Sequence, residues 1–153
     1  MKTLVKIVLA YLMLWGVASA DAQVSNFRSF RQTKGAVTPG SHDIYVWGAW
    51  EQSETYFSLN IPKHLILVED KINKTKLKYE IFDKPQKWIT KKNYKYINFE
   101  CMETESMRSY FIRLCEYDTG DFKITVLSPD EAVRYQVIYL KDKDPEINFD
   151  DIE

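Results

Sequence analysis

Residues 108–137 read RSYFIRLCEYDTGDFKITVLSPDEAVRYQV, and apolar side chains alternate with polar ones through most of this stretch. Alternation with a period of two is typical of β-strands that bury one face. The Asp-Thr-Gly triplet at 118–120 suits a three-residue hairpin loop with glycine in the left-handed position. Ser-Pro-Asp-Glu at 128–131 suits a type I turn with proline second. The stretch therefore predicts three antiparallel strands joined by two hairpins.

These two turns also predict which residues face each other. They pair apolar side chains with apolar ones throughout: Leu114 with Ile124, Ile112 with Val126, Val126 with Val133, Ile124 with Tyr135, and Phe122 with Val137. A helix beginning at Ser128 is an alternative, because Ser-Pro-Asp-Glu also resembles a capping box. The alternation that follows Val133 favours the turn.

The same period of two continues towards the N-terminus. It predicts further strands at residues 44–50, 56–61, 64–69, 76–82 and 96–102. The first two are expected to form a hairpin around the polar turn 51–54, with Val46 opposite Leu59. The chain is therefore expected to be all-β, an antiparallel meander of about eight strands. It must close as a small barrel or fold into a two-sheet sandwich to hide its edges, and the sequence leaves both open.

The first 22 residues have the three-part plan of a signal peptide. Lys2 begins a basic start, residues 7–17 carry no charge, and small residues follow up to Ala22. The apolar run is shorter than the ~20 residues that a bilayer requires. We expect cleavage between Ala22 and Gln23, with cleavage after Ala20 as the alternative. The mature protein is then secreted or periplasmic, with no transmembrane anchor.

Three regions follow the predicted signal peptide. We interpret residues 23–41 as a polar N-terminal arm that leads into the fold and can contain one short strand, 42–141 as the β domain, and 142–153 as an acidic C-terminal tail. The chain has 21 basic and 22 acidic residues; removing Lys2, Lys6 and Asp21 leaves 19 and 21, a net charge of −2. So small a charge argues against nucleic acid as a partner.

Few residues point to a reactive centre. Neither His42 nor His64 has a metal-ligating neighbour at suitable spacing, so no metal and no cofactor are expected. Export would favour a disulfide between Cys101 and Cys115. The strand register instead places the two cysteines on different faces and far apart, which favours two separate thiols. A β-bulge would shift this register and restore the disulfide.

The aromatic residues suggest a binding surface. The strand at 44–50 is apolar on both faces, so the face with Tyr45 and Trp47 either packs under the N-terminal arm or is exposed for binding. Together with Tyr56 and Trp88, these residues are the candidate ligand or partner site.

The expected function is a non-enzymatic exported β domain that binds a protein or a small apolar ligand. A small secreted hydrolase or enzyme inhibitor is one alternative, and a structural envelope component is another. The meander with its Trp-rich first strand is loosely similar to lipocalin-like exported domains. The lipocalin signature is absent, so this similarity carries over no pocket and no ligand.

Overall fold

The structure, a computed structural model, describes residues 24–37, 45–82, 84 and 86–140, and of Val37 and Tyr45 it describes only the backbone. All regular structure in these residues is β, which confirms the predicted all-β class. The strands are β1 (Val24–Val37), β2 (Tyr45–Trp47), β3 (Glu51–Gln52), β4 (Thr55–Asn60), β5 (Leu65–Asp70), β6 (Thr75–Ile81), β7 (Ile89–Thr90), β8 (Tyr94–Glu103), β9 (Ser109–Tyr117), β10 (Phe122–Leu127) and β11 (Glu131–Leu140).

Eight of these strands form a closed antiparallel barrel in the order β1-β4-β5-β6-β8-β9-β10-β11. The last strand returns to the first, with Asn26 opposite Leu140 and Ala36 opposite Glu131. Closure removes the free edges that an open meander would expose. Of the two architectures that the sequence left open, the protein adopts the barrel. The short strands β2 and β3 pair with β1, and β7 pairs with β8.

Strand β1 occupies the segment that was expected to be a polar arm. It is fourteen residues long and contacts strands on both sides, β11 on one and β2, β3 and β4 on the other. Phe27 points into the barrel and is buried against Phe122 and Tyr139, with ring centres 5.4 Å away in both cases. The polar residues of this segment therefore belong to a strand of the barrel wall, in which Phe27 is buried whereas Phe30 is 47% exposed.

The expected hairpin between residues 44–50 and 56–61 is wrong. Both segments pair with β1 instead, so that Gly35 faces Trp47 and Phe27 faces Phe57. Val46 consequently lies beside Ala36 rather than Leu59. The physical reason is that β1 offers one long edge, and β2, β3 and β4 share it end to end.

A β-bulge interrupts β1 between Ser29 and Arg31. Buried hydroxyl groups satisfy the backbone there: the oxygens of Ser29 and Ser53 lie 2.6 Å apart, and the Thr55 N–H donates to Ser29 Oγ at 2.7 Å. The Ser53 N–H donates to the carbonyl of Phe30 at 3.2 Å. Each of these groups at the bulge is therefore paired within the barrel wall.

The last three strands have the predicted register. The pairs are Leu114 with Ile124, Ile112 with Val126, Val126 with Val133, Ile124 with Tyr135, and Phe122 with Val137. Gly120 has a φ of +90°, as the predicted loop requires. The Ser128 N–H donates to the Glu131 carbonyl at 2.9 Å, which confirms the turn over the helix.

Both cysteines are free thiols on different sides of the wall, as the strand register predicts. Cys101 points into the core and donates to the Tyr110 carbonyl at 3.6 Å. Cys115 lies opposite Tyr96 in the neighbouring strand, on the outer face. The barrel wall therefore separates the two sulfur atoms.

The core fills the barrel interior with alternate residues from every strand of the closed wall. It consists of Phe27, Phe57, Leu59, Ile66, Val68, Tyr79, Ile81, Ile97, Phe99, Cys101, Ile112, Leu114, Ile124 and Val137. No helix among the described residues is long and apolar enough to span a membrane.

Candidate functional site

The barrel wall has an opening between β6 and β8. These strands pair over only three residues, Tyr79–Ile81 with Cys101–Glu103. Further along β8, the two-residue strand β7 takes this side, with Ile89 opposite Tyr96. Between the two pairings, the Phe82 N–H donates to the Glu100 carbonyl at 2.9 Å. The gap gives access to the core from this end of the barrel.

A cavity of about 630 Å³ lies at this opening, which we call the barrel mouth. Its floor is formed by side chains that also belong to the core, contributed by β4, β6, β8 and β9: Leu59, Ile81, Ile97, Phe99 and Leu114. The floor presents only hydrocarbon. It therefore favours apolar material over water.

Three large apolar side chains form the rim of the barrel mouth. Ile61 is 38% exposed, Phe82 38% and Trp88 43%. Such exposed groups converging on one cavity are typical of ligand-binding clefts. Ile61 lies in the turn after β4, whereas Phe82 and Trp88 lie in the connection between β6 and β7.

The rim also carries four polar side chains, Ser25, His64, Lys84 and Gln86. His64 has a left-handed backbone with a φ of +56°. Its N–H donates to the Ile61 carbonyl at 3.0 Å, and its carbonyl accepts the Ile81 N–H at 2.8 Å. The turn after β4 and the end of β6 thus fix the position of the histidine.

An ion pair and a cation–π contact hold the connection between β6 and β7 against β8. Lys84 Nζ donates to Glu100 Oε2 at 2.7 Å. Lys95 Nζ lies 4.8 Å from the centre of the Trp88 ring and 3.8 Å from Glu116 Oε1. The cation–π contact gives the exposed indole a fixed neighbour on β8.

The structure separates the predicted site residues. Trp88 lines the barrel mouth. Trp47 instead contacts Gly35 and lies under the guanidinium of Arg134, with Cζ of Arg134 4.1 Å from the centre of the Trp47 ring. Trp47 thus follows the packing alternative, against β1. Tyr56 is buried on β4. The side chain of Tyr45, and the predicted cleavage site at Ala22 and Gln23, lie outside the described residues.

Sequence reasoning missed the apolar rim partners Ile61 and Phe82. Each is the last apolar residue before a turn, and this position gave no sign that both turns meet at one opening. Among the described residues, no group of three or more His, Cys, Asp or Glu side chains could hold a metal ion. His42 lies outside these residues.

The fold and the site define a closed antiparallel β-barrel with an apolar opening at one end. No family model matches the chain, no curated protein matches it, and no solved structure matches it.

Proposed function

We propose that this protein is an exported, non-enzymatic binding protein whose barrel mouth holds a small apolar ligand. The observation that carries the proposal is the convergence of Ile61, Phe82 and Trp88 on a cavity with a hydrocarbon floor. A volume of about 630 Å³ falls within the ~300–1,000 Å³ that is usual for small-molecule sites.

Burial of apolar surface would drive binding at the barrel mouth. A ligand that covers the rim removes Trp88 and its neighbours from water and also buries its own hydrocarbon. Each methylene group that leaves water contributes about 0.8 kcal/mol. The polar side chains His64, Lys84 and Gln86 also line the rim. A ligand with an apolar body and one polar end therefore matches the lining.

Export supports a carrier or capture role outside the cytoplasm. The basic start, the uncharged run at 7–17 and the small residues up to Ala22 are the basis for this part of the proposal. Mass spectrometry of the protein recovered from its host checks it. A mature chain beginning at Gln23 supports export, and a retained Met1 contradicts it.

The binding proposal is tested with N-phenyl-1-naphthylamine, an apolar fluorophore whose emission rises when it leaves water. We expect saturable binding to the full chain. Trp88→Ala should weaken binding by about tenfold, which corresponds to ~1.4 kcal/mol. Leu114→Phe fills the cavity from its floor and should reduce the bound fraction at saturation.

Phe111→Ala is the matched control, because Phe111 is an exposed aromatic residue that does not line the barrel mouth. It should leave the affinity within about twofold, a change below ~0.5 kcal/mol. Equal losses in the Phe111 and Trp88 variants would show that the fluorophore binds exposed rings in general. Unaltered binding in both mouth variants would place the ligand elsewhere.

A further inference from the structure

A layer of cations and aromatic rings covers the outer wall of the barrel, away from the barrel mouth. Arg113 in β9, Lys123 in β10, Arg134 in β11 and Arg31 in β1 all lie on this outer face. Sequence neighbours of the first three, such as Leu114, Ile124 and Tyr135, pack in the core or against it. Arg31 lies opposite Gln136, whose neighbour Val137 is in the core. We call these four cations the outer-wall patch.

The strand register places the four cations side by side. Gln136 lies between Arg31 and Lys123 in neighbouring strands. Two residues further along the strands, Thr125 lies between Arg113 and Arg134 in the same way. Adjacent strands are ~4.8 Å apart, so the patch extends ~14 Å from β9 to β1. This length suits several anionic groups in a row rather than one small ion.

Each cation lies over an aromatic ring rather than beside a carboxylate. The distances to the ring centres are 4.1 Å from Arg134 to Trp47, 4.4 Å from Arg113 to Tyr96, 4.7 Å from Arg31 to Trp50, and 5.0 Å from Lys123 Nζ to Tyr117. Within the described part of the chain, no carboxylate lies within 4.0 Å of a patch cation. Stacking on rings leaves the positive charges unneutralised.

The arginines also retain hydrogen-bond donors. Arg31 Nε donates to the side chain of Gln136, and Arg113 Nε donates to Asn98 Oδ1 at 2.8 Å; both acceptors are neutral amides. Arg134 Nε is buried and donates to no acceptor among the described residues. A guanidinium stacked on a ring presents its in-plane N–H groups at the edge, which is the geometry that binds sulfate and carboxylate.

The cations of the patch repel one another. Partial burial lowers the pKa of Lys123, and the nearby charges of Arg134 and Arg31 lower it further. The nearby carboxylate of Asp121 raises the pKa of Lys123 and so opposes this effect in part. Four cations held this close together still favour the binding of an anion. An anionic group between these side chains would replace repulsion with attraction.

A groove of about 420 Å³ continues from the patch along the wall. Arg31 and Lys123 line it, together with the exposed apolar side chains of Phe30 and Ile138. Asp121 also lies in the groove, where its Oδ2 accepts the hydroxyl of Thr119 at 2.8 Å. The groove therefore joins a cationic part to an apolar part, and Asp121 adds one negative charge to its lining.

We propose that the outer-wall patch binds a linear acidic polysaccharide. Its sulfate or carboxylate groups pair with the four cations, and its sugar rings lie against Phe30 and Ile138. Arg113, Lys123 and Arg134 are only half-exposed, so a narrow chain reaches them better than a flat membrane surface does. Single-stranded nucleic acid stacks its bases on open aromatic faces, whereas these rings are already covered by cations.

Calorimetric titration with dextran sulfate, and with uncharged dextran of the same chain length, tests this proposal on the full chain. We expect binding of the sulfated polymer only, with an affinity that falls from ~50 to ~200 mM salt. Lys123→Gln with Arg134→Gln should weaken binding about tenfold or more. Arg113→Gln is a second variant, in case the double substitution does not fold as judged by circular dichroism.

Lys63→Gln with Lys91→Gln is the control, because it changes the net charge equally at two exposed lysines outside the patch. An equal loss in this control would overturn the proposal in favour of general charge attraction. Single-stranded DNA that binds as tightly as dextran sulfate, with the same sensitivity to the variants, would overturn it in favour of nucleic acid. Binding that appears only after removal of residues 142–153 would identify that acidic segment as the occupant and would also overturn it.

Discussion

Trp47 covers Gly35 so closely that a β-carbon at position 35 would lie 3.0 Å from Cε3 of the indole and 3.2 Å from Cδ2. The two residues are cross-strand partners in β2 and β1. On its ring, Trp47 also carries the guanidinium of Arg134, 4.1 Å from the ring centre. The tryptophan is thus held between a bare backbone and a cation, which ties β2 to the barrel wall.

We therefore expect Gly35→Ala to destabilise the protein by about 1–3 kcal/mol, the usual cost of overpacking a filled site. In a Trp47→Ala background, the same change should be neutral or stabilising, because glycine inside a strand is ~0.5–1 kcal/mol less favourable than alanine. Urea unfolding of the four proteins measures this coupling. Gly48→Ala is a control, since its β-carbon would meet only the Lys34 carbonyl, at 3.4 Å. An equal cost of Gly35→Ala in both backgrounds would refute the contact.

The thiol of Cys101 links stability to alkaline pH. Its side chain is 0% exposed, and burial raises its pKa to about 12. In the unfolded chain, the thiol ionises with a pKa near its ordinary value of ~8.5. Above that pH the unfolded state loses a proton that the folded state keeps, so the free energy of unfolding falls as pH rises towards 12.

Urea unfolding in reductant from pH 7 to above pH 10 measures this effect. Cys101→Ala should be less stable than the original protein at neutral pH, because it leaves a small cavity. The free energy of unfolding of the variant should fall less steeply with pH. The slopes of the two proteins should differ by up to ~1.4 kcal/mol per pH unit. Burial also raises the pKa values of Tyr79 and Tyr135. The decrease in the free energy of unfolding that these two tyrosines cause at alkaline pH should therefore remain in the variant. Parallel stability curves for the two proteins would count against a neutral buried thiol.

The sequence predicted the second half of the fold better than the first, for a physical reason. In the last three strands, register depends on local turns with Gly120 and Pro129, and these turns leave few alternatives. Strand β1 instead pairs with Leu140 and its neighbours, far along the chain. Its inward residues after Phe27 include the buried Ser29 and Gln32, so the apolar alternation that identifies a strand is missing.

The candidate site was only partly predictable. Trp88 was expected to bind because it is a large aromatic residue in a polar, basic stretch. The rest of the barrel mouth depends on a ladder between β6 and β8 that stops after three pairs. Sequence periodicity identifies strands but does not show where two of them part. The outer-wall patch was missed for a similar reason, because its four cations come from four strands that only barrel closure brings together.

A buried carboxylate organises the turn between β8 and β9. Glu103 is 6% exposed, and its side chain accepts the N–H groups of Glu105 and Ser106. We expect Glu103→Ala to cost about 2–3 kcal/mol, because hydrogen bonds to a charged group contribute ~1.5–3 kcal/mol and the freed N–H groups are partly rehydrated. Glu103→Gln should cost less, since the amide keeps one acceptor.

Thermal and urea unfolding of these variants test the turn. Glu105→Ala is the control, because Glu105 is an exposed neighbour in the same turn and should change stability by less than ~0.5 kcal/mol. Equal losses for positions 103 and 105 would mean that charge alone stabilises the turn. A harmless Glu103→Ala would contradict the hydrogen bonds described here.

Two turn residues with left-handed backbones should respond to substitution in opposite directions. Gly120 has a φ of +90° and Met107 a φ of +59°. A β-carbon at Gly120 would meet no atom within 4 Å, so any effect of Gly120→Ala comes from the backbone alone. We expect a loss of about 1–2 kcal/mol, the cost of placing an L-residue with a side chain in this region.

Met107 already adopts this unfavourable backbone conformation, and its side chain is 63% exposed with little packing to lose. Met107→Gly should therefore be neutral or stabilising by up to ~1 kcal/mol, after the larger entropy of the unfolded glycine chain is included. Urea unfolding of the two single variants measures both signs; destabilisation by Met107→Gly comparable to that by Gly120→Ala would show that side-chain contacts, and not backbone conformation, determine the stability of these turns.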